Sequence, residues 1–398
     1  MKALLPKIKF KNFDEKWNRK KLHSIAPLRG GFAFKSEKFQ NTGIPIVRIS
    51  NIKFDGTVGG EFEYYSKIIS DEKFVLRGRS ILLAMSGATT GKIAMLDSEE
   101  EYYQNQRVGY FQNTGEVDYD FLSSVLQTKA FTNQLNAVLV AGAQPNISSK
   151  EIDSFEFCIP DSIDEQSAIG SLFRTLDDLL FSYKDNLANY QSLKATMLSK
   201  MFPKAGQTVP EIRLDEFEGE WENSKISDYV NLLNGRAFKQ DELLNEGKYR
   251  VVRVGNFNTN EKWYYSNLEL EEDKYANKDD LLYLWATNFG PEIWKEEKII
   301  FHYHIWKFEF DRSIIDRNYL YYWLEKDKKR IQQNTNGSTM VHVTKSMMEN
   351  REFLFPMFRE QQAIGTYFSN LDNLINSHQE KISQLETLKK KLLQDMLI

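Results

Sequence analysis

Residues 165–202 read EQSAIGSLFRTLDDLLFSYKDNLANYQSLKATMLSKMF, and residues 360–397 read EQQAIGTYFSNLDNLINSHQEKISQLETLKKKLLQDML. Over the first fifteen positions of these stretches, nine residues are identical at a constant offset of 195. Chance alone would give about one identity, so the chain contains an internal repeat. The pattern within this repeat decides the fold.

Both copies carry mostly apolar residues at alternating steps of four and three. They are Leu176, Leu180, Tyr183, Leu187, Tyr190, Met197 and Met201 in the first copy, and Leu371, Ile375, His378, Ile382, Leu385, Leu392 and Met396 in the second. A period of about 3.5 residues predicts the seam of a coiled coil. At about 1.5 Å per residue each helix would span roughly 55–60 Å.

Lys194 and Lys389 interrupt the two seams at the same position. A polar residue at matched places in a seam helps to select one register, so we expect the two helices to pair with each other. The alternative is that each helix packs on its own neighbouring domain.

A second repeat precedes each long helix. Residues 6–17 (PKIKFKNFDEKW) match residues 210–221 (PEIRLDEFEGEW) at an offset of 204, and Gly31, Ala33, Phe34 and Lys35 match Gly235, Ala237, Phe238 and Lys239. The chain is therefore a tandem duplication. We expect four segments: a globular domain at 1–160, a long helix at 161–205, a second globular domain at 206–356 and a long helix at 357–398.

Within each globular segment, short runs rich in β-branched residues predict strands at 44–49, 80–85, 249–254 and 298–306. Shorter helices are expected at 119–136 and 318–333, and a strand that ends at Pro160 or Pro356 leads into each long helix. The fold class is therefore α+β. The copies diverge most between residues 55–145 and 258–340, as expected if they recognise different things.

Composition excludes several classes of protein. A hydrophobic fraction of 41% excludes disorder, and the single cysteine, Cys158, excludes a disulfide framework. Neither a signal peptide nor an apolar run of about 18 residues is present, so we expect a soluble cytoplasmic protein without membrane contact. Residues 1–55 hold 13 Lys and Arg against four acids. This excess fits a phosphate-binding face or an ordinary lysine-rich surface equally well.

The arrangement resembles the specificity subunit of Type I restriction–modification enzymes. The likeness is carried by residues 31–35, their echo at 235–239 and the two Glu-Gln-x-Ala-Ile-Gly helices, and it covers the whole chain. The resemblance implies two target recognition domains that read double-stranded DNA and two long helices in an antiparallel coiled coil with pseudo-two-fold symmetry. It also implies two modification (methyltransferase) subunits and restriction (translocase–nuclease) subunits as partners. Catalysis would belong to those partners, with no catalytic residue or cofactor in this chain.

Such a chain would hold two DNA readers at a set distance. A helix of this length caps the separation of the half-sites at about 17 base pairs, taking 3.4 Å per step. Because the two readers differ in sequence, we expect an asymmetric target. One rival is a stand-alone sequence-specific DNA-binding regulator. Another is a nuclease or methyltransferase fused to recognition domains.

Candidate DNA contacts come from polar residues in the divergent regions and from repeated basic residues. They are Lys35, Arg48, Thr89, Thr90, Lys92, Asn105, Gln106 and Arg107 in the first half, and Lys239, Arg253, Asn288, His302, His304 and Lys307 in the second. Arg48 and Arg253 recur, so a scaffold ion pair explains them equally well.

Three motifs carry alternative chemistry that we do not favour. Residues 87–92 (GATTGK) look like a phosphate-binding loop but are one residue short and lack the following Ser or Thr. Glu296 and Glu297 with Asp279 and Asp280 have the letters of a nuclease core, but surface acids are common in a chain with 27% charged residues. His302 and His304 would share one side of a strand, without a third ligand, so no metal site is expected.

Overall fold

The computed structural model describes residues 6–141, 146–258, 260–286, 289–334 and 343–397. The chain divides into two compact units. The first comprises Met1–Lys184 with Glu380–Ile398, and the second comprises Asp185–Gln379. Each long helix therefore contributes one half to each unit. In the described ranges, no helix is long and apolar enough to cross a membrane.

The described residues of the first unit form ten strands and four short α-helices ahead of the first long helix. The strands are β1 (Asn18–Lys21), β2 (Leu28–Arg29), β3 (Ile44–Val47), β4 (Glu63–Tyr65), β5 (Val75–Leu76), β6 (Ser80–Ala84), β7 (Ile93–Leu96), β8 (Tyr102–Gln104), β9 (Val108–Phe111) and β10 (Glu156–Ile159). The helices are α1 (Leu22–Ile25), α2 (Tyr119–Val125), α3 (Lys129–Ala141) and α4 (Ser149–Asp153), followed by the long α5 (Ile163–Lys200).

The second unit has the matching ten strands and, in its described residues, three shorter α-helices, with α7 in the place of α2 and α3. Its strands are β11 (Glu222–Lys225), β12 (Val230–Asn234), β13 (Tyr249–Val252), β14 (Tyr264–Ser266), β15 (Tyr275–Ala276), β16 (Leu281–Leu284), β17 (Gly290–Ile293), β18 (Ile299–Phe301), β19 (Ile305–Phe310) and β20 (Glu352–Phe355). Its helices are α6 (Ile226–Tyr229), α7 (Arg317–Asn334) and α8 (Lys345–Glu349), followed by the long α9 (Phe358–Met396).

The two units share one sheet topology. In the first, β2-β9-β6-β7 form an antiparallel sheet, β4-β3-β8-β5 form a mixed sheet, and β1 pairs with β10. In the second, β12-β19-β16-β17, β14-β13-β18-β15 and the pair β11 and β20 have the same order. Among the described strands, only β3 with β8, and β13 with β18, run parallel. The duplicated α+β architecture predicted from the sequence is confirmed, including in the regions where the sequences diverge most.

Two local predictions need correction. The helix expected at 119–136 is two helices, α2 and α3, because the chain turns and bends at residues 126–128 between them. The strand expected at 298–306 is two strands, β18 and β19, separated by a turn at residues 302–304. His302 and His304 therefore lie on that turn and not on one side of a strand.

The repeated glutamine of each long helix explains part of the repeated motif. The buried Gln166 accepts a hydrogen bond from the Asp118 backbone N–H at 2.8 Å and donates one to the Pro160 carbonyl at 2.8 Å. Gln361 accepts from Asp316 N–H at 2.9 Å and donates to the Pro356 carbonyl at 2.9 Å. Each amide thus ties the start of a long helix to the start of α2 or α7 and to the preceding strand's end.

The repeated glycine permits this contact. A Cβ on Gly170 would lie 2.5 Å from the Phe121 backbone nitrogen, and one on Gly365 would lie 3.0 Å from that of Tyr319. The N-terminus of the shorter helix therefore touches the backbone of the long helix at this point.

The repeated glutamate has different partners in the two units. Glu360 is buried and accepts two hydrogen bonds from the Arg213 guanidinium, at 2.8 and 2.7 Å. Glu165 is also buried but accepts only from Trp17 Nε1, at 3.2 Å, and its Oε2 has no hydrogen-bond partner among the described residues. Burial raises the pKa of Glu165 above its ordinary value of 4.5.

In the first unit, the N-terminal half of α5 pairs with the C-terminal half of α9. Leu176 and Leu180 are buried, and Leu385 and Leu392 pack against the same core as Leu176. Lys389 forms an ion pair with Asp177 and donates to Gln127 Oε1 at 2.5 Å. The ammonium of Lys184 lies 2.7 Å from a carboxylate oxygen of Glu386.

In the second unit, the C-terminal half of α5 pairs with the N-terminal half of α9. Leu371 and Ile375 are buried. The rings of Tyr190 and His378 lie 5.2 Å apart, and Lys194 Nζ lies 2.5 Å from Asp372 Oδ1. As the α5 number rises, the α9 number falls, so the helices run antiparallel.

The seam lysines form reciprocal ion pairs, because Lys194 with Asp372 repeats Lys389 with Asp177 at the offset of 195. Other predicted seam residues are half-buried in both helices: Tyr183, Leu187, Tyr190 and Met197 in α5, and Ile382, Leu385 and Leu392 in α9. The helices pair with each other, as expected, and they also pack on the cores of the units. Packing on the neighbouring domain therefore accompanies the pairing and does not replace it.

We expect Gly170→Ala and Gly365→Ala to destabilise the protein. Alanine in a helix normally gains about 1 kcal/mol over glycine. Here the added methyl group would clash with backbone, so we expect a loss of about 1–3 kcal/mol in the free energy of unfolding. Urea denaturation measures this loss. Gly59→Ala is the control, because its Cβ would meet nothing within 4 Å. Alanine variants as stable as the wild type would contradict the close helix contact.

We expect opposite results from the two buried glutamates. Glu360→Gln breaks a buried ion pair and should lower the free energy of unfolding by about 3 kcal/mol at pH 7. Glu165→Gln should not lower it, because the folded-state pKa of Glu165 is raised and its ionised form is destabilising.

The sign of this pH dependence follows from proton linkage. The folded chain holds the Glu165 proton more tightly than the unfolded chain, so the contribution of Glu165 to stability falls as pH rises above 4.5. Between pH 4 and pH 8, the free energy of unfolding measured by denaturation should decline less for Glu165→Gln than for the wild type. Equal slopes in the two proteins would refute this assignment.

Candidate nucleic-acid interface

In the first unit, several candidate residues meet where strands end. Because β3 and β8 are parallel, their carboxyl ends lie at one edge, with Val47 paired to Gln104. Arg48 follows β3 and Asn105 follows β8. Thr89, in the loop after β6, donates to the Ile49 carbonyl at 3.4 Å. The fold thus brings Arg48, Asn105 and Thr89 to the same end of the unit.

The segment from Asn105 to Arg107, which we name the first turn, is held by backbone hydrogen bonds. Asn105 N–H donates to Val47 at 3.1 Å, and Gln106 N–H donates to Phe32 at 2.9 Å. The Arg107 carbonyl accepts from Met85 N–H at 2.9 Å, and the Asn105 carbonyl accepts from Val108 N–H at 2.9 Å. The side chains of Gln106 and Arg107 are exposed. A rigid backbone therefore presents two polar side chains to solvent.

The segment from His302 to His304, which we name the second turn, has the same bonds. His302 N–H donates to Val252 at 2.9 Å, and Tyr303 N–H donates to Arg236 at 3.0 Å. The carbonyl of His304 accepts from Trp285 N–H at 3.2 Å, and that of His302 accepts from Ile305 N–H at 2.9 Å. His302, Tyr303 and His304 therefore occupy the positions of Asn105, Gln106 and Arg107.

The glycine of the repeated Gly-x-Ala-Phe-Lys motif, Gly31 or Gly235, lies against the backbone of the turn. A Cβ on Gly31 would lie 2.2 Å from the Asn105 carbonyl oxygen, and one on Gly235 would lie 2.3 Å from that of His302. A side chain at either position would push the motif away from the turn. Lys35 and Lys239, which end the two motifs, are exposed.

The repeated arginines also occupy equivalent places. The backbone N–H groups of Arg48 and Arg253 donate to the side chains of Asn51 and Asn256, each at 3.0 Å. The Arg48 guanidinium lies 3.4 Å from Glu63, whereas that of Arg253 lies over the Tyr264 ring at 5.3 Å. Both side chains are half-buried. A scaffold contact is therefore present for each, and contact with phosphate stays a prediction.

The loop at residues 87–92 does not offer its lysine as a nucleotide-binding loop would. The Lys92 ammonium lies over the Phe54 ring, and burial lowers its pKa. Thr90 Oγ1 donates to the Gly87 carbonyl at 2.6 Å. Thr89 and Thr90 are half-buried, and their contact with DNA stays a prediction, as does that of Lys92.

Aromatic rings surround the second turn. The ring centroids of Tyr303 and His304 lie 3.9 Å apart, and those of Trp285 and His304 lie 4.9 Å apart. Burial, and then the neighbouring His304 and Arg253, lower the pKa of His302 to about 4. His302 is therefore neutral at pH 7, with one ring nitrogen as donor and the other as acceptor.

The remaining candidates lie elsewhere. Lys307 is in β19, and its ammonium donates to the Tyr275 carbonyl at 2.8 Å, which commits one of its protons within the unit. Asn288 lies outside the described residues. Contact of either residue with DNA stays a prediction.

The acidic residues with the letters of a nuclease core are mostly paired with basic ones. Asp279 pairs with Arg317, Asp280 with Arg312, and Glu296 with Arg250. Among the residues with described positions, no group of three or more His, Cys, Asp and Glu could hold a metal ion. The arrangement is that of an ion-paired surface.

Sequence reasoning missed Tyr303 and the residues between the repeated glycine and alanine, Phe32 and Arg236. Phe32 bridges to Asn105 and Arg236 bridges to His302 in the same way. The repeated glycine was a usable signal, because a glycine kept in both copies between differing neighbours indicates a close backbone approach. Tyr303 is 40% exposed.

Comparison with known proteins agrees with this duplicated geometry. The model of the family described as Type I restriction modification DNA specificity domain matches residues 14–217 and again residues 218–387. The specificity subunit of the Type I restriction enzyme MjaVIII of Methanocaldococcus jannaschii is 22% identical, covering 83% of this chain and 80% of its own. The putative MjaX specificity subunit of the same organism is 21% identical over 96% and 93%.

A solved structure shows the same fold. The crystal structure of the Type I restriction-modification S subunit from M. genitalium superposes with a TM-score of 0.67 at 17% identity, covering 99% of each chain. Together, the two family matches and the shared fold confirm the resemblance first indicated by the repeats. The chain therefore belongs to the family of Type I restriction–modification DNA specificity subunits, which are not themselves enzymes.

Proposed function

We propose that this chain selects a bipartite, asymmetric target in double-stranded DNA, with each unit reading one half. It would act in the cytoplasm as the non-catalytic part of a methyltransferase and endonuclease complex. The observation that carries the proposal is the pair of equivalent turns. One backbone arrangement, held by the same hydrogen bonds, presents Asn, Gln and Arg in one unit and His, Tyr and His in the other.

The candidate residues divide into two roles by position. Asn105, Gln106 and Arg107, with His302 and His304, would face base edges, because they lie on the turns and differ between the units. Arg, Asn and Gln make bidentate contacts to purines in the major groove, which suits them to this role.

The repeated residues would contact the sugar–phosphate backbone, whose contacts position a protein without reading sequence. These residues are Lys35 and Arg48 in the first unit, and Lys239 and Arg253 in the second. Thr89 and Thr90 would join them from the neighbouring loop. Lys92 and Lys307 have internal contacts and would mainly support the loops that do the reading.

We propose that the paired long helices set the spacing of the half-sites. The 38 residues of α5 and the 39 of α9 correspond to helices of roughly 57–59 Å at about 1.5 Å per residue. This length caps the unread spacer at about 17 base pairs. The reciprocal pairs Lys194 with Asp372 and Lys389 with Asp177 support one register.

The long helices also present equivalent exposed leucines. In the first unit Leu179 of α5 and Leu388 of α9 are 42% and 45% exposed, and in the second Leu193 and Leu374 are 38% and 41% exposed. All four immediately precede a seam position, so each pair flanks the seam on one side. Two equivalent apolar pairs fit two copies of one partner. We therefore propose one methyltransferase subunit on each, with restriction subunits joining that assembly.

The rival function is a stand-alone DNA-binding regulator. It would bind a specific site tightly without partners and would leave the exposed leucines unexplained. Binding of the purified chain, with and without co-expressed methyltransferase subunits, separates the two. Equal specific affinity in both preparations would favour the regulator.

Lengthening both helices should change only the spacer. One heptad inserted after Asn186 and one after Lys381 keeps the seam in phase and adds about 10 Å. Methylome sequencing of cells that carry the complex should show a spacer longer by about three base pairs at 3.4 Å per step. Both half-sequences should be unchanged.

The matched control places the same heptad between Glu99 and Glu100, in an exposed loop. It should leave the spacer as it is. An unaltered spacer in the helix variant, together with retained methylation, would show that the helices do not set the distance.

Charging one leucine pair should remove one methyltransferase subunit. Leu179→Asp with Leu388→Asp places carboxylates at the centre of the proposed apolar contact, where an unpaired charge is costly. Mass measurement of the co-purified complex should show one methyltransferase subunit where the wild type has two. Ile69→Asp is the control, because Ile69 is 94% exposed and lies in the loop between β4 and β5. Two bound subunits in the leucine variant would rule out this docking site.

A further inference from the structure

We propose that the first and second turns are exchangeable specificity elements, so that moving three residues from one unit to the other moves a base preference with them. This inference rests on the proposed function and refines it from whole units to single turns. It names Asn105, Gln106 and Arg107 in one unit, and His302, Tyr303 and His304 in the other, as specificity-determining residues.

The first support is that the same set of backbone hydrogen bonds, which we call the frame, holds both turns. Each turn is held by four corresponding hydrogen bonds. Three join the turn to the neighbouring parallel strand, to the glycine motif and to the loop after β6 or β16. The fourth joins the first residue of the turn to the residue that follows the turn. Phe32 N–H and Arg236 N–H add a fifth, to Gln104 at 2.8 Å and to Phe301 at 3.0 Å. A three-residue exchange therefore keeps every bond that depends on backbone alone.

The second support is that most of the groups that hold each turn lie outside it. Gly31 and Gly235 provide the close approach, and the parallel strands β3 and β13 supply the carbonyls. In the first unit, the buried Gln104 also donates to the Val108 carbonyl at 2.7 Å, just beyond the turn. Within the first turn, the Asn105 side-chain oxygen also accepts a hydrogen bond from the Arg107 N–H at 3.2 Å. The other bonds described for the two turns join backbone atoms or Gln104, and an exchange of turn side chains does not remove them.

The third support is the contrast in side-chain chemistry. The first turn carries an amide, a second amide and a guanidinium, which suit hydrogen bonds to adenine and guanine edges. The Arg107 side chain is exposed to solvent. We therefore assign Arg107 to a guanine in the first half-sequence.

The second turn carries rings. Tyr303 is 40% exposed and packs against His302 and His304, with ring centroids 4.4 and 3.9 Å away. Aromatic rings suit apolar contact with a thymine methyl group or the face of a base, and the phenol and imidazoles add single hydrogen bonds. The two turns therefore favour different bases although their backbones match.

The main experiment grafts the second turn onto the first unit. The full-length chain with Asn105→His, Gln106→Tyr and Arg107→His is co-expressed with its methyltransferase subunits, and the methylated motif is read by methylome sequencing. We expect a changed first half-sequence and an unchanged second half-sequence. An intact complex that methylates the parental motif would overturn the proposal.

A point variant covers the case in which the graft abolishes methylation. With the parental motif as duplex, binding by the purified complex is compared for Arg107→Ala and Arg77→Ala. Both changes remove an exposed guanidinium, but Arg77 follows β5 and pairs with Glu101 beside the start of β8, at the other end of that strand. A bidentate guanine contact contributes about 1–3 kcal/mol, which corresponds to roughly 5- to 150-fold in affinity.

The outcomes are distinguishable. Arg107→Ala should lower the affinity for the parental duplex by roughly 5- to 150-fold. It should also reduce the difference in affinity between the parental duplex and a scrambled duplex. Arg77→Ala should bind the parental duplex within about twofold of the wild-type affinity. Equal binding by the two variants would refute the assignment. Failure of the proposed function itself would appear earlier, as the absence of any bipartite motif with the wild-type complex.

Discussion

The amide of the repeated glutamine at the start of each long helix constrains the rest of the molecule. Through Gln166, α5 is bonded to the start of α2 and to the end of β10, and Gln361 repeats both bonds in the second unit. Such a buried bridge leaves little freedom for the angle at which the helix leaves its unit. The direction of the seam, and hence the pairing of the helices, depends on that angle.

Duplication has preserved the frame and changed the chemistry placed on it. The glutamate beside each bridging glutamine is buried in both units, yet one copy meets an arginine and the other a tryptophan. The turns show the same pattern, with common backbone bonds and unlike side chains. A common backbone geometry with different side chains fits the proposed reading of two different half-sequences.

Much of the fold could be predicted from the sequence because the repeats report it directly. The seam period, the glycine motif and the prolines indicated both long helices and the order of the domains. The equivalence of the turns was hidden, because the offset between copies changes from 204 at Gly31 to 197 at Asn105. The turn at 302–304 lies within a run that predicts one strand, because Ile299, Ile300, Phe301, Tyr303, Ile305 and Trp306 are residue types enriched in strands. The internal contacts of Lys92 and Lys307 depend on partners that no local pattern reveals.

The division of each long helix between two units has a consequence for synthesis. The first unit includes residues 380–398, whereas the second is continuous from 185 to 379. On the ribosome, the nascent first unit waits for the end of α9, with Leu176 and its neighbours uncovered, while the second can close earlier. A chain released before the end of α9 is made would therefore lack part of its first unit, although that unit contains the N-terminal residues. The apolar surface left uncovered there would be a binding site for chaperones.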